Sequence, residues 1–224
     1  MRTPLWITCL AFSAAASLGA LSPETLRYNI NWPSGLTLGE GMLTTSQTST
    51  GGWNANFQVD ASLPGFTVSE QVRSAMSAGF CSIELEKNAQ RGRRKANETT
   101  TFENGTATRK TANGGGKTEI AVSSCGRDVL AFLQFARHEL AQGRVPQPST
   151  ILYGAPYRIR MVFAGTQSVQ VSEKPVTADK LNVTVKGPEA DVTFEAFFAR
   201  DAARTPVLIR VPFALGTFAL ELVK

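Results

Sequence analysis

Few side chains in the 224 residues could carry chemistry, and their spacing restricts what that chemistry could be. His138 is the only histidine. A three-histidine metal site and an HExxH zinc site are therefore excluded within one chain, and no G-x-S-x-G elbow accompanies a possible Ser-His-Asp set. Asn113-Gly114-Gly115-Gly116-Lys117-Thr118 ends like a phosphate-binding loop, but Thr111 stands where that loop needs its first glycine, and a strand pattern follows where a helix should. The segment reads as a turn. Glu84 and Glu86 lie two apart and share a strand face, as a glycosidase pair could, but Ser82 and Lys87 beside them mark a solvated face. Asp201 and Arg204 flank a turn before Pro206 and read as a turn-fixing ion pair or as side chain–backbone bonds. No set supplies a nucleophile, a base and an orienting group together, so the expectation is a protein without enzymatic activity, cofactor or metal.

The charged residues give a weaker lead. Lys plus Arg outnumber Asp plus Glu by 23 to 18, a formal charge of +5. Arg91, Arg93, Arg94 and Lys95 concentrate that excess in a candidate anion-binding patch, which Lys87, Arg109, Lys110 and Lys117 extend into one positive hairpin surface. Anionic headgroups or an acidic polysaccharide suit such a patch. No aromatics interleave with the charges, so nucleic acid is not expected. The alternative is an edge hairpin that charge protects from aggregation.

The elements that must position these residues are mostly strands. Hydrophobic residues make up 42% of the chain, enough for a packed core. Tyr28, Ile30 and Trp32 alternate with polar residues, as do Trp53, Ala55, Phe57, Val59 and Ala61. Cys81–Leu85, Tyr157–Phe163, Leu181–Val185, Val192–Phe198, Val207–Val211 and Phe218–Leu222 repeat the pattern, and Phe66–Ala78 is read as a further strand. One apolar and one wetter face mark antiparallel strands packed on one side. Asn104-Gly105 marks a two-residue hairpin turn. Asp128–Gln142, closed by Gly143, alone has helical spacing, with Val129, Leu133, Ala136 and Leu140 in one stripe and Leu130, Phe132 and Phe135 widening it. A helix this apolar belongs inside. The fold expected is mostly β, a curved antiparallel sheet forming an incomplete barrel around one apolar helix. Tyr28, Trp32, Trp53, Phe57, Phe194 and Phe198 are the candidate cavity lining; equally, they could form a closed core.

Residues 1–19 read as a signal peptide: Arg2, an apolar run from Leu5 to Ala16, then small residues at Ser17, Gly19 and Ala20. The run is short of the roughly 20 residues that span a bilayer. Residues 20–224 would form one exported half-barrel domain without a transmembrane anchor, in the periplasm or envelope. The two cysteines left, Cys81 and Cys125, favour a disulfide in an exported protein, with two separate buried thiols as the alternative.

Three stretches also resemble a known family: Leu26–Gly41, Arg127–Gly143 and Phe197–Leu222. Tyr28, Trp32, Leu38, Gly39, Glu40, Asp128, Leu130, Arg137, Asp201, Pro206 and Val207 carry the resemblance to the bacterial domain of unknown function 3108, a group of exported envelope proteins. Phe135 stands where many relatives carry a tyrosine. That family looks akin to the lipoprotein carriers, incomplete antiparallel barrels closed by helices that hold acyl chains in an apolar cavity. The resemblance implies fold and location. The expected function is binding of an apolar ligand such as an acyl chain or lipid; the alternative is a structural or interaction module binding an envelope polysaccharide or protein partner.

Overall fold

A computed structural model describes residues 21–63, 66–112, 115–188, 191–213 and 216–223. The signal-peptide segment lies outside these residues, as do Asn113 and Gly114 of the glycine turn. The first half of the chain is a run of strands: β1 (Glu24–Asn31), β2 (Thr37–Gln47), β3 (Trp53–Leu63), β4 (Phe66–Met76), β5 (Ser82–Arg91), β6 (Arg94–Glu103), β7 (Thr106–Thr111) and β8 (Lys117–Ala121). The short β9 (Arg127–Asp128) leads into helix α1 (Val129–Ala141). The second half holds β10 (Ser149–Tyr153), β11 (Ala155–Val171), β12 (Lys174–Lys186), β13 (Asp191–Ala199), β14 (Pro206–Phe213) and β15 (Gly216–Val223).

All the described strands belong to one sheet, ordered β8-β7-β6-β5-β4-β3-β2-β1-β15-β14-β13-β12-β11-β10-β9. Two meanders, one from each half, meet where β1 pairs with β15, placing Tyr28 opposite Leu222 and Ile30 opposite Leu220. Each step is antiparallel except β9 with β10. A parallel pair cannot be joined by a tight turn, and α1 is the crossover that joins this one. The helix therefore lies against the sheet, touching β3, β4, β9 and β10. The sheet does not close through hydrogen bonds, since β8 and β9 are its two ends. This is the curved, incomplete barrel that strand alternation and one apolar helix predicted.

Local signals set the corners. Asn104 (φ 49°) and Gly105 (φ 77°) both adopt positive φ between β6 and β7, the conformation that a two-residue hairpin turn requires. The helix begins where Asp128 accepts from the backbone N–H groups of Leu130 (2.8 Å) and Ala131 (3.0 Å). It ends where Gly143 (φ 74°) lets Arg144 N–H reach back to the Glu139 carbonyl. Asp128 and Gln142, the predicted ends, are thus its caps.

The gap between the sheet's ends is spanned by other bonds. Cys81 and Cys125 form a disulfide, with Cα atoms 4.8 Å apart. Next to it, Ser82 N–H donates to the Gly126 carbonyl (2.9 Å). Further along, Lys87 lies 4.1 Å from the centre of the Tyr153 ring, and Arg109 donates to the Gly154 carbonyl. Gly154 has φ 75°, and a Cβ there would stand 3.0 Å from Glu98 Oε2, so this corner favours glycine twice over. Of the cations read as one positive hairpin surface, Lys87 and Arg109 are engaged at the seam, and Lys117 pairs with Glu119 at 2.6 Å.

The disulfide bridges positions 44 apart and restricts the unfolded chain as well as the seam. Replacing both cysteines by serine is expected to cost roughly 3–4 kcal/mol, read as a fall in the urea midpoint with a steeper slope, because the uncrosslinked unfolded chain exposes more surface.

Candidate functional site

The inward faces of the strands and one side of α1 line a partly open cavity of about 240 Å³. Tyr28, Leu43 and Phe57 contribute from β1–β3, and Ile159, Met161, Val183, Phe194, Ala196 and Phe198 from β11–β13. The helix supplies Val129, Leu130, Phe132, Leu133 and Ala136. The lining is apolar but for the Tyr28 hydroxyl, which donates to the Pro206 carbonyl (2.9 Å). Burial raises the Tyr28 pKa above its ordinary value, so the phenol stays protonated at physiological pH. The cavity offers shape and apolar surface, and no acid, base or nucleophile faces it.

Of the six aromatics read as lining, Tyr28, Phe57, Phe194 and Phe198 border this cavity. Trp53 does not: it sits opposite Met76 in the β3–β4 register and is packed in the core with Phe80. Nor does Trp32, which lies edge-on to Phe218, ring centres 4.8 Å apart, and borders a separate open groove with Asn31, Arg210 and Pro212. Trp32 follows the last residue of β1, and the register shifts between Ile30 and Asn31, so alternation no longer holds there.

Two buried polar centres fix α1 over the cavity. At its N-terminus Asp128 is fully buried; Oδ2 accepts from Ser74 (2.6 Å) and Ser82 (2.5 Å), while Oδ1 takes the helix N–H groups. Ser82 Oγ also accepts from Asp128 N–H (2.8 Å), so β4, β5 and α1 meet at one carboxyl. Near the other end Arg137 is 0% exposed. It forms a two-point ion pair with Glu24 of β1, donates to Gln134 Oε1 (3.1 Å) and donates through Nε to the Ala203 carbonyl (2.9 Å). Sequence periodicity missed Glu24 and Gln134. The available signal was a glutamine and an arginine three positions apart in a largely apolar helix.

The remaining candidates scatter. Arg91 pairs with Glu70 (3.0 Å) and faces Arg94 across the β5–β6 turn that contains Arg93. Lys95 borders a shallow open groove with Gln58, Gln71 and Asn97. His138 lies against Phe80 and within hydrogen-bonding distance of Gln142. Glu86 pairs with Arg73 (3.3 Å). Asp201 binds the N–H and hydroxyl of Thr205, whereas Arg204 pairs with Asp179 (2.7 Å), so the anticipated Asp201–Arg204 ion pair gives way to side chain–backbone bonding.

Fold and cavity together define an open, barrel-like β protein with an internal helix. Residues 27–223 match the family described as "Protein of unknown function (DUF3108)", and the chain belongs to that family. Among solved structures it is similar to a "Beta-barrel-like Protein of Domain of Unknown Function DUF1849" from Brucella abortus, with a TM-score of 0.67 and 9% identity over 91% of this chain and 97% of that one. At that identity the likeness concerns fold. No curated protein matches.

Two expectations follow. Burial raises the Asp128 pKa, against the opposing hydrogen bonds from Ser74, Ser82 and the backbone N–H groups of Ala131 and Leu130. Its folded-state value then lies above the unfolded one, so its contribution is complete below the ordinary aspartate range and is lost as pH rises through the folded value. The stability of the wild type relative to Asp128→Asn should therefore fall as pH rises above the ordinary aspartate range in urea titrations. Separately, Arg137→Met, which strands the Glu24 carboxylate, should cost about 3–5 kcal/mol, and adding Glu24→Leu should recover much of that loss in a double-mutant cycle.

Proposed function

We propose that this protein is an exported component of a bacterial envelope that binds an apolar group of a lipid or acyl chain in the cavity between sheet and helix. The observation that carries the reading is the cavity lining: aliphatic and aromatic side chains from both halves of the sheet and from α1, with the Tyr28 hydroxyl already engaged. Size supports it and limits it. A dry cavity of about 150 Å³ lined by such side chains takes benzene, whereas drug-sized ligands occupy roughly 300–1,000 Å³. At about 240 Å³ the space suits a short apolar segment, so a long chain would enter with its end only or displace α1. The kinship with lipoprotein carriers implied by the sequence resemblance agrees with this reading. The role is binding rather than catalysis, and it requires no cofactor.

Protein purified from its own envelope should carry a bound apolar molecule in native mass spectrometry, and fatty acids should displace a hydrophobic dye from the delipidated form. Ala136→Leu pushes extra carbon from the helix into the cavity; it should abolish dye binding while the melting temperature holds or rises. A clean apo mass together with dye binding unchanged in Ala136→Leu overturns the reading.

A further inference from the structure

A second space lies away from the apolar cavity, at the seam where the sheet fails to close. It is a groove of about 450 Å³ bordered by Ile120–Ser123 on one side, Ser149, Thr150, Leu152 and Pro156 on the other, and Cys125–Arg127 at its base. Each side is the end of the sheet. β8 pairs only with β7, and β10 pairs with β9 only at Ile151 and Leu152, so the outer edge of β8 and the edge of β10 at Ser149 and Thr150 have no strand partner, whereas the outer side of β9 is taken by Ser82.

Arg127 is the unusual residue here. Its guanidinium carbon lies over the Phe135 ring, 3.8 Å from the ring centre. Among the described residues its side chain has no hydrogen-bond or ion-pair partner, and its Nε is buried without one. The acid whose field reaches it, Glu139, gives both carboxylate oxygens to Arg144, at 2.7 and 2.8 Å. Partial burial without an acceptor lowers its proton affinity. Its position is also costly, because it stands just ahead of the N-terminus of α1, the end of a helix that repels a cation. Packing on Phe135 alone would be served by an apolar side chain. The helix N–H groups are already capped by Asp128, so the unmet hydrogen-bonding capacity belongs to the guanidinium itself.

We infer that this groove binds an extended peptide segment carrying a carboxylate, with the backbone adding to the free sheet edges and the carboxylate taking the stacked Arg127. A planar guanidinium fixed on a ring is preorganised for two parallel hydrogen bonds to a carboxylate. Strand addition at an open edge supplies main-chain affinity, while the side-chain contact supplies selectivity. The peptide would lie between the outer edge of β8 and the free edge of β10 at Ser149 and Thr150.

The test is an NMR titration of the full, oxidised protein at constant ionic strength, following the Arg127 Nε–Hε signal and the amides of Ser123, Thr150 and Leu152. The probes are acetate, acetyl-Val-Asp-Val-amide and the same peptide with Asn for Asp. The expected result is saturable movement of the Arg127 signal, with the Asp peptide at least about tenfold tighter than both acetate and the Asn peptide. In Arg127→Lys, which keeps the charge but not the fork, the Asp–Asn difference should shrink severalfold. Equal binding of the two peptides by the wild type overturns the inference without recourse to any variant. So does an Asp peptide no tighter than acetate, or a difference that survives Arg127→Gln in a variant with native-like amide spectra.

Discussion

A buried guanidinium holds the two halves of the chain to the helix. Arg137 is closed off from solvent, and its hydrogen bonds go to Glu24 at the start of the sheet, to Gln134 one turn back and to the Ala203 carbonyl in the β13–β14 connection. A charge in that position is tolerable only when its donors are met together, so three segments distant in sequence must arrive in one place. Tyr28 binds the Pro206 carbonyl just beyond, and Asp201 closes the turn between Ala203 and Pro206. Tyr28, Arg137, Asp201 and Pro206 of this anchor are also among the residues that carry the family resemblance, whereas Glu24 is not.

The opposite end of α1 is treated differently. Asp128 caps the helix and gathers the hydroxyls of Ser74 and Ser82. Ser82 in turn donates its N–H to Gly126, beside the Cys81–Cys125 bridge. Cap, serines and disulfide form a continuous connection from β4 through β5 to the seam. Both ends of the helix are thus pinned by polar contacts, and its apolar middle borders the cavity.

Asymmetry in the outer face has a related cause. The register shift between Phe163 and Thr166 changes which β11 residues share a face with Leu181 and Val183. Val169 and Val171 are buried in one cluster with Phe197, Val207 and Leu208, and Lys180 and Arg210 stand over the Phe197 ring at 5.9 and 5.3 Å. Phe197 occupies an outward register position and yet is fully buried. A strict inside–outside reading of Phe197 and Phe198 has no means of assigning both to packed environments.

By itself, the sequence determined most of the strands, though not β2, β9 or β10, together with the helix and its two caps, the hairpin turn at Asn104-Gly105 and the incomplete barrel, because these depend on periodicity and backbone preference within short windows. Four of the six aromatics border the cavity for the same reason: alternation along a strand decides a face. Only the tertiary structure decided which inward residues border a space and which are packed solid, as Trp53 is against its neighbours. It also decided that Lys87 and Arg109 serve the seam, that Glu24 is the partner of Arg137, and that Arg127 is left without an acceptor. Those outcomes depend on distances between residues tens to hundreds of positions apart, and on local register shifts. A sequence read in windows holds the pieces but not their meeting points.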